Sequence, residues 1–147
     1  MSDGERDAAS RQAITEVISR YGVYIDAGEF DALETLFAED AVFDISPDPG
    51  VVPVPVHGRR NIRDTLEDRY KAVSPTAQRR HLMTNVVVDE LTGDEARSRC
   101  FLTVLSVPKT GGAIELRGTG VYHDHLRREN GSWLIKERRL VLDALGG

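Results

Sequence analysis

The sequence predicts an α+β domain in which three N-terminal helices close a strongly curved, cone-shaped antiparallel sheet. Apolar residues recur at steps of three and four as far as Val73, but alternate from His81 onward in four runs separated by short turns. Gly118 and Gly120 fall inside one of those runs. Glycine there weakens a ladder unless the sheet bends or something packs close to its backbone, so the pair marks curvature.

Ile14, Val17, Ile18, Tyr21 and Ile25 share one face of the first helix, with Asp7 or Ser10 as the expected cap and Gly28 as its end. Residues 1–9 read as a flexible N-terminus. Asp26 falls in the last turn of that helix, where ending the helix or bonding nearby amides is one use for it. Phe30, Leu33 and Phe37 carry helical spacing over a short second helix, and Ala41 to Ile45 reads as a strand. Ser46 to His57 holds Pro47, Pro49, Pro53 and Pro55, which excludes a central strand and predicts a loop with an extended edge segment, placed to act as a lid. Ile62, Leu66, Tyr70 and Val73 give a third helix that stops before Pro75.

The four strands are His81 to Glu90, Glu95 to Val107, Ala113 to Arg128 and Ser132 to Asp143, and their short connections predict antiparallel neighbours. Alternation puts His81, Met83 and Asn85 on one face, so Asn85 is a candidate pocket residue. It also groups Gly118, Gly120, Tyr122 and Asp124, sending His123 and His125 to the opposite face. Trp133 and Ile135 differ in parity from Leu140 and Leu142, which predicts a bulge near Lys136 and leaves Arg138 and Arg139 unassigned by counting. Phe101, Leu105 and Val107 oppose Cys100, Leu102 and Val104, so this strand is apolar on both faces. A homodimer or homotrimer through the outer face of the sheet is therefore expected.

At 147 residues the chain fits one domain with room for a core and a cavity. No 18-residue apolar run exists, and Met1 to Arg6 are polar and acidic, so neither a membrane span nor a secretory signal is expected and the cytoplasm is the default location. Nineteen basic against 24 acidic side chains give a net charge of −5, which argues against nucleic acid as a partner. Cys100 is the one cysteine and sits in an apolar run, as a buried structural thiol would. His57, His81, His123 and His125 lack a metal-ligand spacing and no glycine-rich phosphate loop occurs, so the expected site is free of metal and cofactor.

The helix Ser10-Arg11-Gln12-Ala13-Ile14 running to Tyr21 and Asp26, the segment His81-Leu82-Met83-Thr84-Asn85, and the ending Gly131-Ser132-Trp133 through Arg138 resemble the SnoaL-like branch of the nuclear transport factor 2-like superfamily. The fold implied is the cystatin-like α+β roll. Within it the chain is most similar to the group of scytalone dehydratase and hexachlorocyclohexane dehydrochlorinase, whose members use an Asp and His pair inside the cone. That resemblance places the pair at Asp26 and His81 and turns Arg138 inward, while a pocket lysine of the dehydrochlorinase falls at Tyr21.

The chemistry suits those residue types. A neutral imidazole is a base near neutral pH, and a carboxylate on its other nitrogen fixes the tautomer and stabilises the imidazolium. Tyr21, Tyr24, Tyr122 and Arg138 are candidates for positioning and charge stabilisation. The resemblance implies a lyase or dehydratase, cyclase or isomerase acting on a small apolar, cyclic organic molecule. Two alternatives stay open: an epoxide hydrolase-like enzyme, which solvent ¹⁸O in the product would reveal, and a non-catalytic binding or assembly module, which a wide separation of Asp26 from His81 would favour.

Overall fold

The computed structural model describes residues 1–144. Helix α1 spans Asp3–Ala27 and is capped by the Ser2 hydroxyl, which accepts from the Glu5 amide at 3.1 Å. The expected cap at Asp7 or Ser10 is thus displaced, and residues 3–9, expected as flexible, form the first turns of the helix. Asp3 and Glu5 in the first turn favour this earlier start by meeting the positive end of the helix dipole. Gly28, at φ 74°, ends the helix in the left-handed conformation that glycine adopts without penalty.

Helix α2 covers Phe30–Glu34 and strand β1 Phe37–Ser46, so Phe37, read as helical from its spacing, opens a strand instead. A two-residue strand, β2 (Val56–His57), follows the proline-rich segment and pairs with β1 as an edge. Helix α3 runs from Arg59 to Val73. Strands β3 (Ala77–Thr92), β4 (Glu95–Pro108), β5 (Glu115–Glu129) and β6 (Ser132–Leu142) then form the antiparallel meander.

The sheet order is β2-β1-β6-β5-β4-β3. One pairing departs from the all-antiparallel expectation: β1 and β6 run parallel, with Phe43 opposite Arg138 and Ile45 opposite Leu140. The chain leaves β1, crosses through α3, builds β3 to β5, and returns in β6 along the first strand. A parallel pair requires such a crossover, and short-turn patterning reveals only neighbours in sequence. The sheet does not close, since β2 and β3 remain as its edges.

Strands of 14 to 16 residues exceed the usual 3–10, and at about 3.3 Å per residue β3 would reach roughly 50 Å if straight. They bend instead. Register shifts lie between Thr84 and Val87, between Val104 and Leu105, and between His125 and Leu126. The last leaves Lys136 without a cross-strand partner, the bulge that the parity change at Trp133 and Leu140 predicts. Helix α1 lies against β3 and β6, and α3 against β1 and β2, so the helices fill the concave face of the sheet. Ile14, Ile18, Leu33, Ile62, Leu126 and Ile135 are buried there without exposed surface.

Candidate active site

Helix α1 meets strand β3 at Gly22. A β-carbon at this position would come within 2.8 Å of the His81 carbonyl oxygen, so only glycine lets helix and strand approach this closely. Asp26 lies four residues on, along the same helical face. Its carboxylate therefore arrives at the same residue of β3. Oδ2 accepts the His81 backbone N–H at 2.7 Å, and Oδ1 lies 2.5 Å from the His81 ring nitrogen Nδ1. Asp26 is only 8% exposed, and Gln78 Nε2 donates to its backbone carbonyl at 3.1 Å. With Nδ1 donating to the carboxylate, the neutral imidazole presents Nε2 as an acceptor.

Both residues border a cavity of about 390 Å³, within the range of about 300–1,000 Å³ usual for small-molecule sites. Phe43, Leu66, Leu102, Val104 and Leu140 make much of its wall apolar. Pro49, Val51 and Val52 of the proline-rich segment also line it, as do Tyr21 and Tyr122. Burial raises the pKa of Tyr21, and raises that of Tyr122 well above the ordinary tyrosine value. Both phenols stay protonated near neutral pH, as ordinary tyrosines do, and a side-chain hydrogen bond joins the two hydroxyls.

Arg138 stands directly behind these tyrosines. It is fully buried, with its guanidinium carbon 3.6 Å from the centre of the Tyr122 ring and 4.1 Å from that of Tyr21. A cation between two aromatic faces is stabilised by both ring quadrupoles. Its Nε lies 3.4 Å from Asp124 Oδ1, a buried ion pair too long for a strong hydrogen bond. Burial pushes the Asp124 carboxyl up to about 6 although Arg138 pulls it down. For Arg138 itself burial disfavours the charge, but Asp124 and the two tyrosines more than offset it.

Asp26, His81, Tyr21 and Tyr122 are therefore brought to one cavity. Arg138 is inward, as the resemblance implies, but acts on the cavity only through the tyrosine rings. Tyr24 and Asn85 lie outside the lining. Tyr24, half-buried, packs on the core from the neighbouring stripe of α1. Asn85 is exposed, with φ 55°, in the bulge between Thr84 and Val87. Counting alternation from His81 through that bulge put it on the wrong face. Gly22, Gln78 and Asp124 were not foreseen as parts of the site. An isolated glycine inside a helical run was the available signal for Gly22, because it costs about 1 kcal/mol against alanine unless packing requires it.

A pocket between helices and the concave face of a curved sheet defines a class of small α+β proteins, described among solved structures as NTF2-like with a cystatin-like fold. The chain belongs to the SnoaL-like domain family, whose model matches residues 6–139. An NTF2-like protein from Novosphingobium aromaticivorans is 25% identical, covering 93% of this chain and 84% of its own, with a TM-score of 0.81. ActVI-ORFA from Streptomyces coelicolor is 24% identical over 91% of this chain and 97% of its own, with a TM-score of 0.78. A protein of Novosphingobium aromaticivorans provisionally assigned as a scytalone dehydratase is 20% identical over 96% and 89%, with a TM-score of 0.79. These last two share the fold. No curated protein sequence matches the chain. Among the described residues no helix is long and apolar enough to cross a membrane.

Proposed function

We propose that this SnoaL-like protein is a cofactor-independent enzyme that removes a proton from carbon beside a carbonyl group of an apolar cyclic substrate, in a dehydration, cyclisation or isomerisation. The observation that carries this reading is the double hydrogen bond from Asp26 to the backbone and ring of His81 at the edge of an apolar cavity. His81 Nε2 takes the proton, and the C–H electron pair moves into an enolate. Asp26 holds Nδ1–H and stabilises the imidazolium. Tyr21, whose hydroxyl is hydrogen-bonded by Tyr122 behind it, donates to the enolate oxygen. In a dehydration the electron pair then expels a β-hydroxyl group, which leaves as water with the proton held by His81. Arg138 is a positioning residue that holds the tyrosine rings. The shared fold with a provisionally assigned scytalone dehydratase supports this reaction class.

The test is exchange of α-protons for deuterium, followed by NMR in heavy water, across a panel of bicyclic ketones with and without a β-hydroxyl group. Exchange should exceed buffer for at least one member and fall by about 10²–10⁴ in His81→Ala. Exchange equal in the two proteins would remove His81 from the reaction.

We also infer that the molecule pairs or forms trimers through the convex face of the sheet. Phe101, 51% exposed at its centre, lies beside Val121, which in turn faces Val141 on β6, while Leu82 lies nearby on β3. An apolar surface of this kind on a sheet whose concave face is already covered is suited to a second copy.

A further inference from the structure

We propose that the cavity takes an anionic substrate, an apolar ring system bearing a carboxylate, and that Arg79 with Arg69 and Arg117 holds the carboxylate at the mouth. This deepens the functional reading above and rests on it. Among the described residues three arginines but only one acid, Asp26, border the cavity, and both oxygens of Asp26 already bond to His81. The acid is thus committed. Arg79 lies two residues before His81 on β3, so the two side chains share the concave face. Opposite it is Ser106, a buried inward residue, which confirms the direction.

Arg117 reaches the cavity from the other side. Val104 pairs with Gly118 and Leu105 with Leu116, which makes Arg117 the extra residue of a bulge, and a bulge re-aims the side chain it carries. Arg69 comes from α3. Among the described residues Arg69 and Arg79 make no ion pair, and Arg117 has only an exposed contact to Glu115 at 3.3 Å. Burial lowers the Arg79 pKa, and the nearby positive charges of Arg69 and Arg117 lower it further. Like charges gathered at a half-buried position, opposed only by the Asp26 carboxylate that already bonds His81, are costly, and a ligand carboxylate removes that cost by accepting paired N–H bonds. The rest of the cavity, walled by Leu66, Leu102, Val104 and Leu140, suits rings.

The probes are 2-naphthoate and its neutral isostere 2-naphthamide, with binding measured by calorimetry. The wild type should bind naphthoate about tenfold or more tightly than the amide, as expected for charged hydrogen bonds, with the preference weakening as salt is added. Arg79→Gln should abolish the preference, the naphthoate affinity falling to that of the amide. Arg117→Gln, at an exposed position, should reduce it without endangering the fold. Equal affinity of the wild type for both probes, or a preference surviving in both variants, would overturn the anchor. His81→Ala should keep the carboxylate preference, so a failed proton-transfer test and a failed anchor are separable. Binding of neither probe would count against the anchor and the small-molecule cavity together.

Discussion

Gly22 and His81 touch through the backbone: the glycine's missing β-carbon would sit 2.8 Å from the histidine carbonyl, and this contact seats helix α1 on strand β3 one turn before Asp26. In an exposed helix interior, Gly→Ala gains about 1 kcal/mol. Here the sign should reverse. Gly22→Ala has to push the helix from β3, at a cost of about 1–3 kcal/mol for overpacking, and lengthens the Asp26–His81 bond. Thermal melts should show a lowered Tm, and deuterium exchange into a ketone substrate should fall with it. A raised Tm would show that the approach is loose.

Burial pushes Asp124 up to about 6 from an ordinary 3.8. The unfolded chain therefore releases this proton at lower pH than the folded protein does. The contribution of this group is full below about 3.8 and is lost as pH rises through 6. The Tm of the wild type minus that of Asp124→Asn should accordingly be larger in acid than at neutral pH. The opposite trend would mean that Arg138 outweighs burial and keeps the carboxyl ionised.

Much of this architecture was legible in the sequence. The helical steps of Ile14 to Ile25 and of Ile62 to Val73, and the short turns between strands, specify the two long helices and a meander because each depends on local spacing. The parallel pairing of β1 with β6 does not, since the partners lie about a hundred residues apart and no turn links them. Within the site the same division holds. Asp26 and His81 could be named from family resemblance, whereas Asn85 was misplaced by one bulge and Arg138 belongs to a layer behind the cavity that only three-dimensional packing creates.

Sedimentation at micromolar concentration should give a mass of two or three chains of 16.3 kDa, and Phe101→Glu should shift it towards one. Burying a carboxylate without a partner is expensive, which is why this single change suffices. A monomeric wild type would contradict the role assigned to the convex face.

Cys100 should be inert in the native state. Burial pushes its thiol up to about 11 despite the opposing charge of Arg138, so little thiolate exists near neutral pH. A disulfide reagent should label it only after denaturation. Rapid stoichiometric labelling of the folded protein would show that the core around Arg138 opens.

The role proposed for Asp26 is to fix His81 in the tautomer that leaves Nε2 free to accept a proton. NMR correlation of the imidazole nitrogens with their carbon-bound protons reads this directly, with the His81 signal assigned by its loss in His81→Gln. In solution alkaline enough to keep an ordinary imidazole neutral, the wild type should carry a proton on Nδ1 and none on Nε2, and Asp26→Asn should lose that preference. A proton on Nε2 in the wild type would contradict it.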